Sequence, residues 1–389
     1  MIAFKLAYRN LVGAGLRTLL IVLVLSLAYV LIIFMNGLYQ GWDRQARHDT
    51  IEWEVGQGQY WQEDYDPYDA MSLSDAHAMI PRAFYQQVAE GRMAPILVTQ
   101  ATLYPDGRMM GALLKGIDLR QKAIAIPTRL LKPDTEELPA LIGTRMAKSL
   151  NVKTGDYLLV RWRDVNGTFD ATEVLIAGIF ETSVPAVDAG QLWVPLKELQ
   201  KLTGMPEEAS LIVCSEKTGG KKIAGWNFQG HEQLFKELEE MIKTKSIGGS
   251  IFYIIILALA LLAIFDTQVL SIFRRQREIG TYIAMGMTRR EVVGIFTVEG
   301  AMHAVLALAA GTLYGLPLLL WIKSTGIPMP EGTDEFGMAA TQHMYPYYSL
   351  TLIAGTIVVV CIATTIVSYL PSKKISKMNP NEAIRGKIQ

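Results

Sequence analysis

The chain has 389 residues, with 37 basic and 37 acidic side chains, two cysteines and 50% apolar residues, and its mean hydropathy is +0.23. Charged residues make up 19%, below the roughly 25% usual in soluble domains, and the deficit is concentrated in four stretches. This composition excludes a disordered chain, a disulfide scaffold and a nucleic-acid binder working by bulk positive charge, and Cys214 cannot pair structurally with Cys361, which lies inside an apolar stretch.

A helix crosses a hydrocarbon core of roughly 30 Å with about 20 apolar residues. The segment 1–17 carries Lys5, Arg9 and Arg17 and reads as an amphipathic N-terminal piece. Residues 18–42 contain no charge and form the first expected span. The stretch is too long for a signal-peptide core and no small-x-small cleavage site follows it, so an uncleaved span is the reading. Residues 43–245 make a large domain. Span two, 246–273, has Asp266 as its one charge, and span three, 292–322, has Glu299. Between them lies a loop at 274–291. A loop at 323–348, an uncharged fourth span at 349–370 and a tail at 371–389 complete the order.

Lysine and arginine near the span ends set the orientation. The N-terminal segment carries +3, residues 273–293 carry +3 and the tail carries +4. Both termini and the middle loop are therefore expected in the cytoplasm, and the domain outside. The expected fold class is an α-helical membrane protein of four transmembrane helices, with a large α+β extracytoplasmic domain inserted between helices 1 and 2. The localisation is multi-pass in the cell's inner membrane.

Within the domain, 96–103, 110–116, 157–162 and 173–180 read as strands, while 144–150, 197–203 and 233–243 read as helices. Turn residues punctuate them at Pro105-Asp106-Gly107, at 153–156 and at Asn166-Gly167, the last a hairpin signal. Residues 59–69 are acidic and aromatic, and read as a surface loop with partly buried rings in preference to a ligand or cation loop. No His/Cys metal spacing, phosphate-cradling glycine loop or Ser/His/Asp arrangement stands out, so no catalytic or metal residues are expected.

Asp266 and Glu299 admit a sharp reading, a proton relay or substrate contact. Both lie about two turns from the span ends at the 274–291 loop. His303 follows Glu299 by one turn, but no further ionisable residue builds a relay. A structural role near the membrane interface, hydrogen-bonded between helices, is preferred. Gly300, Gly311 and Gly315 permit close helix approach in a bundle or a dimer face.

The loop reads Phe273-Arg274-Arg275-Gln276-Arg277-Glu278-Ile279-Gly280-Thr281-Tyr282-Ile283-Ala284-Met285-Gly286-Met287-Thr288-Arg289-Arg290-Glu291. A short helix anchored by Ile279, Tyr282, Ile283 and Met285 should stop at Gly286 in the left-handed conformation. A basic juxtamembrane segment on anionic lipid is the alternative. Lipid alone explains neither the apolar face nor the glycine stop, whereas a protein groove does.

Here the sequence resembles the permease subunits of MacB/FtsX-like (type VII) ABC transporters. The matching pieces are Leu6-Ala7-Tyr8-Arg9-Asn10-Leu11 with 16–20, Arg277-Glu278-Ile279-Gly280 with Ala284-Met285-Gly286, and Glu299-Gly300. The tail adds 370–374 and Asn379-Pro380-Asn381-Glu382-Ala383-Ile384-Arg385. In the domain, 114–118, Ile142-Gly143, Gly155-Asp156, 178–181, Asp188 and 194–196 look like the lipoprotein-releasing LolC/LolE branch.

The resemblance implies that the loop docks on cytoplasmic ABC ATPase subunits. The coupling residues are then Arg277, Glu278, Ile279, Gly280, Tyr282, Ile283, Ala284, Met285 and Gly286, with Glu278 pairing to a basic group of the ATPase. It implies a second permease copy or relative packed through spans one and two, a periplasmic adaptor or lipoprotein carrier, membrane lipids, and no nucleic acid. The chain lacks Gly-x-x-x-x-Gly-Lys-Ser/Thr. It is therefore expected not to be an enzyme and to hold no cofactor, with ATP and Mg²⁺ in the partner. ATPase-driven motion would be transmitted to a domain handling lipoprotein or other hydrophobic cargo. The alternatives are an FtsX-like regulator of a cell-wall hydrolase, an efflux permease with a periplasmic adaptor, and a membrane-anchored sensor or adhesion module. A secondary transporter fits poorly, because no inverted repeat is present.

Overall fold

The computed structural model describes residues 15–69, 71–131, 137–217, 220–328 and 343–377. Most of the 1–17 segment, the middle of the 323–348 loop and the tail motif at 379–385 lie outside the described residues. Contacts divide the chain into two compact units, Met1–Trp42 with Met241–Ile327 and Met344–Gln389, and Asp43–Glu240 with Pro328–His343.

In the first unit, α1 (Leu16–Thr50), α5 (Lys236–Arg274), α7 (Arg289–Thr325) and α8 (Leu350–Ser372) are the long helices. All four are long and apolar enough to cross a membrane. They outrun the expected spans. At 1.5 Å per residue, α5 is about 58 Å long, nearly twice a hydrocarbon core. The helix expected at 233–243 is not a separate element. A short helical turn, His231–Leu234, ends at Phe235, and α5 starts at Lys236 and runs unbroken into span two. Gly248-Gly249 does not interrupt it, and Gly249 packs against the Tyr39 ring.

Close packing inside this unit uses the three glycines of α7. A Cβ at Gly311 would sit 3.0 Å from the Tyr29 ring, and one at Gly315 would press into Val30. A Cβ at Gly300 would overlap Ser368 and lie 2.9 Å from Gln268 Nε2. The small-residue face anticipated as a bundle or dimer surface is thus taken up within the chain, by α1, α5 and α8.

The second unit is built on a nine-stranded sheet. Its strands are β1 (Gln59–Gln62), β2 (Met93–Tyr104), β3 (Met110–Ile117), β4 (Leu138–Gly143), β5 (Tyr157–Arg163), β6 (Phe169–Phe180), β7 (Gln191–Pro195), β8 (Leu211–Cys214) and β9 (Trp226–Gln229). The order is β9-β1-β8-β2-β3-β7-β4-β6-β5, and β5 also pairs back onto β2. Ala101–Tyr104 of β2 bond Leu159–Trp162 of β5, while Met93–Ile96 bond β8. Six strands therefore close into a ring, which leaves no free edge among them.

The reason lies in β2, whose two faces feed two cores. Leu97 and Leu103 join Leu114, Ile142, Val160 and Trp162 on one face. Ile96 and Val98 join Ile117, Leu141, Trp193 and Val213 on the other. Helices α2 (Thr144–Leu150) and α4 (Leu196–Thr203) cover the first core through Met146 and Leu199. The expected hairpin is present. Asp164 Oδ1 accepts from the backbone N–H of Asn166 (3.0 Å) and Thr168 (2.7 Å), and Gly167 takes the positive φ of +81°.

The acidic-aromatic stretch differs from the expected surface loop. Its first four residues are β1, paired on both sides by β8 and β9, and Tyr60 is fully buried between Phe84 and Phe228. The following Asp66 and Asp69 make exposed Asx turns to the N–H groups of Tyr68 and Met71. Four residues are too few for alternation to register against the acidic run that follows.

Candidate functional site

The 274–291 segment has a defined architecture. Helix α5 ends at Arg274, Arg275 leaves helical geometry at φ −108° and ψ 19°, and the short helix α6 occupies Gln276–Ala284. Its end is a Schellman turn. Gly286 N–H bonds Ile283 O (3.1 Å) and Met287 N–H bonds Tyr282 O (3.1 Å), with Gly286 at φ +98°. Two residues later Thr288 opens α7 with a capping box. Thr288 N–H donates to Glu291 Oε2 (2.8 Å), and the Thr288 hydroxyl accepts from Glu291 N–H (3.4 Å). Such a cap is worth about 1 kcal/mol. The Thr-Arg-Arg-Glu spacing carried that signal in the sequence and was not singled out there.

The structure splits the expected partner-facing set. Ile279 is fully buried, in a cluster with Ile272, Val292, Phe296 and Ile375, and Tyr282 and Ile283 pack against it. The chain itself covers Ile279 fully and Tyr282 and Ile283 in part. Full burial of Ile279 accounts for about 1.5–3 kcal/mol, which is reason enough for an isoleucine there. Gly280 is buried as well. Arg277, Glu278, Thr281, Ala284, Met285 and Gly286 are exposed, Met285 at 69%. The outward face is therefore cationic and polar around one large apolar side chain. Glu278 Oε2 accepts from Arg275 Nε at 2.7 Å within the chain, and its side chain stays 55% exposed.

The intramembrane acids part company. Glu299 is buried, and its carboxylate oxygens accept from Arg275 Nη1 at 2.9 and 3.2 Å. The same guanidinium lies over the Phe296 ring, 4.9 Å from its centroid. Removing one member of such a buried pair costs about 3–5 kcal/mol, because the other charge is left without compensation. His303, also buried, places Nδ1 3.3 Å from Gly300 O. Asp266 is not hydrogen-bonded between helices as expected. It is exposed on α5, and among the described residues no hydrogen bond or ion pair is recorded for it. Gln268 is the inward residue of that turn, 3% exposed; two residues of a helix differ by about 200°, which sends Asp266 to the opposite face.

Sequence reasoning missed Arg275. It stood in a run of three arginines with nothing to set it apart, and its signal was position, at the last residue before a helix restarts. The sequence also showed no metal set, yet His48, Asp49 and Glu52 on successive turns bring three possible ligand atoms within 4.8 Å of one another. Exposed acids on one helical stretch adopt this arrangement without an ion. In the sheet unit, Lys115 is buried with its Nζ 5.2 Å from the Trp193 ring centroid. Burial pushes the Lys115 amine below the usual lysine range, and the nearby Glu54 carboxylate opposes that shift.

Residues 250–380, which contain α6, α7, α8 and most of α5, match the family model described as FtsX-like permease C-terminal. The lipoprotein-releasing system transmembrane protein LolC of Xylella fastidiosa (strain 9a5c) is 21% identical over 329 residues, covering 75% of this chain and 77% of that protein. LolC of Neisseria meningitidis serogroup B is 20% identical over 324 residues, with the same coverage of 75% and 77%. An uncharacterized ABC transporter permease of Methanocaldococcus jannaschii is 22% identical over 272 residues, or 65% of this chain and 63% of that one. Four membrane-length helices and this C-terminal match make the chain similar to permeases of the MacB/FtsX-like class. Within that class the chain is similar to ABC transporter permeases of the FtsX/LolC type.

Proposed function

We propose that the chain transmits ATPase-driven motion from α6 to the sheet unit, and that the sheet unit handles lipoprotein or another hydrophobic cargo outside the inner membrane. The observation that carries this is the exposed face of α6, a short helix fixed from behind by Ile279 and stopped at both ends. The loop and both termini face the cytoplasm, in keeping with the positive charge of all three segments. ATP and Mg²⁺ are held by the partner, and this chain performs no hydrolysis itself. The lipoprotein class is supported by the similarity to LolC, a transmembrane protein of lipoprotein-releasing systems.

A second permease chain, a copy or a relative, covers α5. Asp266 supports this, because a carboxylate facing lipid about two turns inside a span is costly and a neighbouring chain removes that exposure. Periplasmic adaptors or carriers would meet the sheet unit.

The test is a surface substitution on α6. Ile283→Asp is unsuitable, since Ile283 packs inside the chain. Met285→Asp changes an exposed side chain and should leave insertion intact. It should lower ATPase co-purification at least about fivefold, as an anchor worth about 1–3 kcal/mol in the complex requires. Undiminished co-purification would return α6 to a lipid-binding role.

A further inference from the structure

The change of direction between α5 and α6 falls on one residue, Arg275, whose backbone and guanidinium together join three elements. Its backbone still closes α5, donating to Ser271 O at 3.1 Å, and its carbonyl accepts from Ile279 N–H at 3.0 Å, opening α6. Its Nε donates to Glu278 Oε2 at 2.7 Å on the first turn of α6. Its Nη1 donates to both carboxylate oxygens of Glu299 on α7, at 2.9 and 3.2 Å, while the plane lies over Phe296. The Glu299 side chain is 9% exposed and that of Arg275 17%, whereas Glu278 remains 55% exposed. The network therefore has a buried end and a surface end joined by one planar cation.

We propose that Arg275 is the positioning residue of the coupling element, fixing α6 to the third span through Glu299 and presenting Glu278 to the ATPase. This rests on the coupling reading above and adds the path by which a push on α6 leaves the loop. The apolar contact of Ile279 with Phe296 and Val292 resists compression but has no direction. The guanidinium adds direction, because its planar fork holds two carboxylates at fixed angles. A cationic group of the ATPase that captures Glu278 competes with Arg275 Nε, and leaves Arg275 to the Glu299 carboxylate alone. Docking at the surface thereby changes the charge balance around a buried acid of the third span. A lysine at 275 cannot serve both carboxylates with one planar head, so Arg275→Lys should behave as a loss of function.

The experiment uses the full chain in complex with the ABC ATPase that co-purifies with it, in vesicles of phosphatidylethanolamine and phosphatidylglycerol. It compares wild type, Arg275→Lys, Glu299→Gln, Glu299→Asp and the α6 surface variant Met285→Asp. ATPase binding, KM for ATP and the permease-dependent rise in kcat are measured for each. Arg275→Lys and Glu299→Gln should bind the ATPase and keep KM, and should lose at least fivefold of the kcat stimulation. Glu299→Asp, which keeps the charge, should recover more than half of it. Full stimulation in both Arg275→Lys and Glu299→Gln overturns the positioning role. If Glu299→Gln does not insert, Arg275→Lys alone decides by the same readout. Met285→Asp separates the two levels. If it leaves binding and stimulation undiminished, the coupling reading fails, whereas its loss beside a fully stimulated Arg275→Lys overturns only the inference drawn from Arg275.

Discussion

The two units of this chain bury opposite things. In the sheet unit the large apolar residues point inward, and Leu97, Leu103, Leu114, Trp162 and Trp193 are each no more than 2% exposed. In the helical unit the most apolar window of α1 is 56% buried, but those of α5, α7 and α8 are only 11%, 22% and 17% buried. There the inward residues include Gln268, Glu299, His303, Thr364, Ser368 and the glycines of α7, while Leu259, Leu262, Leu313 and Ile362 face out. Hydropathy marks the core in one unit, whereas in α5, α7 and α8 it marks mostly the outer surface, with α1 packed at the centre of an apolar cluster. Water drives the first arrangement. In a bilayer, helix association relies instead on close approach of small residues and on polar contacts.

The comparison predicts different responses to the same small change. Gly143→Ala places a Cβ against the backbone of Asp188, whose carboxylate accepts from Arg145 N–H at the start of α2. Backbone cannot yield cheaply, so the sheet unit should lose about 3 kcal/mol. Hydrogen exchange on the full chain in detergent should show faster exchange in β4 and α2, with the long helices unchanged.

Lys115 tests the same unit in the stabilising direction. Burial depresses its pKa, so the unfolded chain binds more protons from the depressed value up to the ordinary 10.5. The amine therefore costs most at low pH, and the wild-type unit should gain stability as pH rises through that window. Lys115→Met removes the cost, should stabilise by about 1–2 kcal/mol at neutral pH, and should flatten the rise. Thermal unfolding at several pH values checks both. A destabilised variant would mean that Glu54 compensates the amine in full.

Gly300→Ala should cost about 2–3 kcal/mol, because its Cβ meets the Oγ and Cβ of Ser368, and that Cβ moves only with the α8 backbone. Its effect should appear as faster exchange in α7 and α8 while the sheet unit is unaffected. Faster exchange in the sheet unit for Gly300→Ala, or in the long helices for Gly143→Ala, would break the contrast between the units.

Much of this was legible in the sequence, and the failures have physical causes. Strands with one solvated face were visible, as in β5, where Leu158, Val160 and Trp162 alternate with exposed residues. Strands β4 and β7 were not, because Leu138–Gly143 and Gln191–Pro195 are buried almost throughout and show no period of two. In the candidate site, Gly286 was readable because a helix stop needs a residue tolerant of positive φ. The burial of Ile279 was not, because an apolar stripe on a short helix does not say whether its cover is the same chain or another. Arg275 escaped for a related reason, since its role depends on Glu299, 24 residues away.

The central claim is that α6 offers one face to a cytoplasmic ATPase and keeps the other inside its own chain. Cysteine labelling tests it most directly, with Met285→Cys and Ile279→Cys in a chain whose Cys214 and Cys361 are replaced by alanine. A membrane-impermeant maleimide is applied to right-side-out and inside-out vesicles, with and without the ATPase. The account predicts that Met285→Cys reacts fast only in inside-out vesicles and is protected when the ATPase is bound, while Ile279→Cys stays unreactive throughout. Labelling of Met285→Cys from the outside, or at an undiminished rate with the ATPase bound, would contradict it.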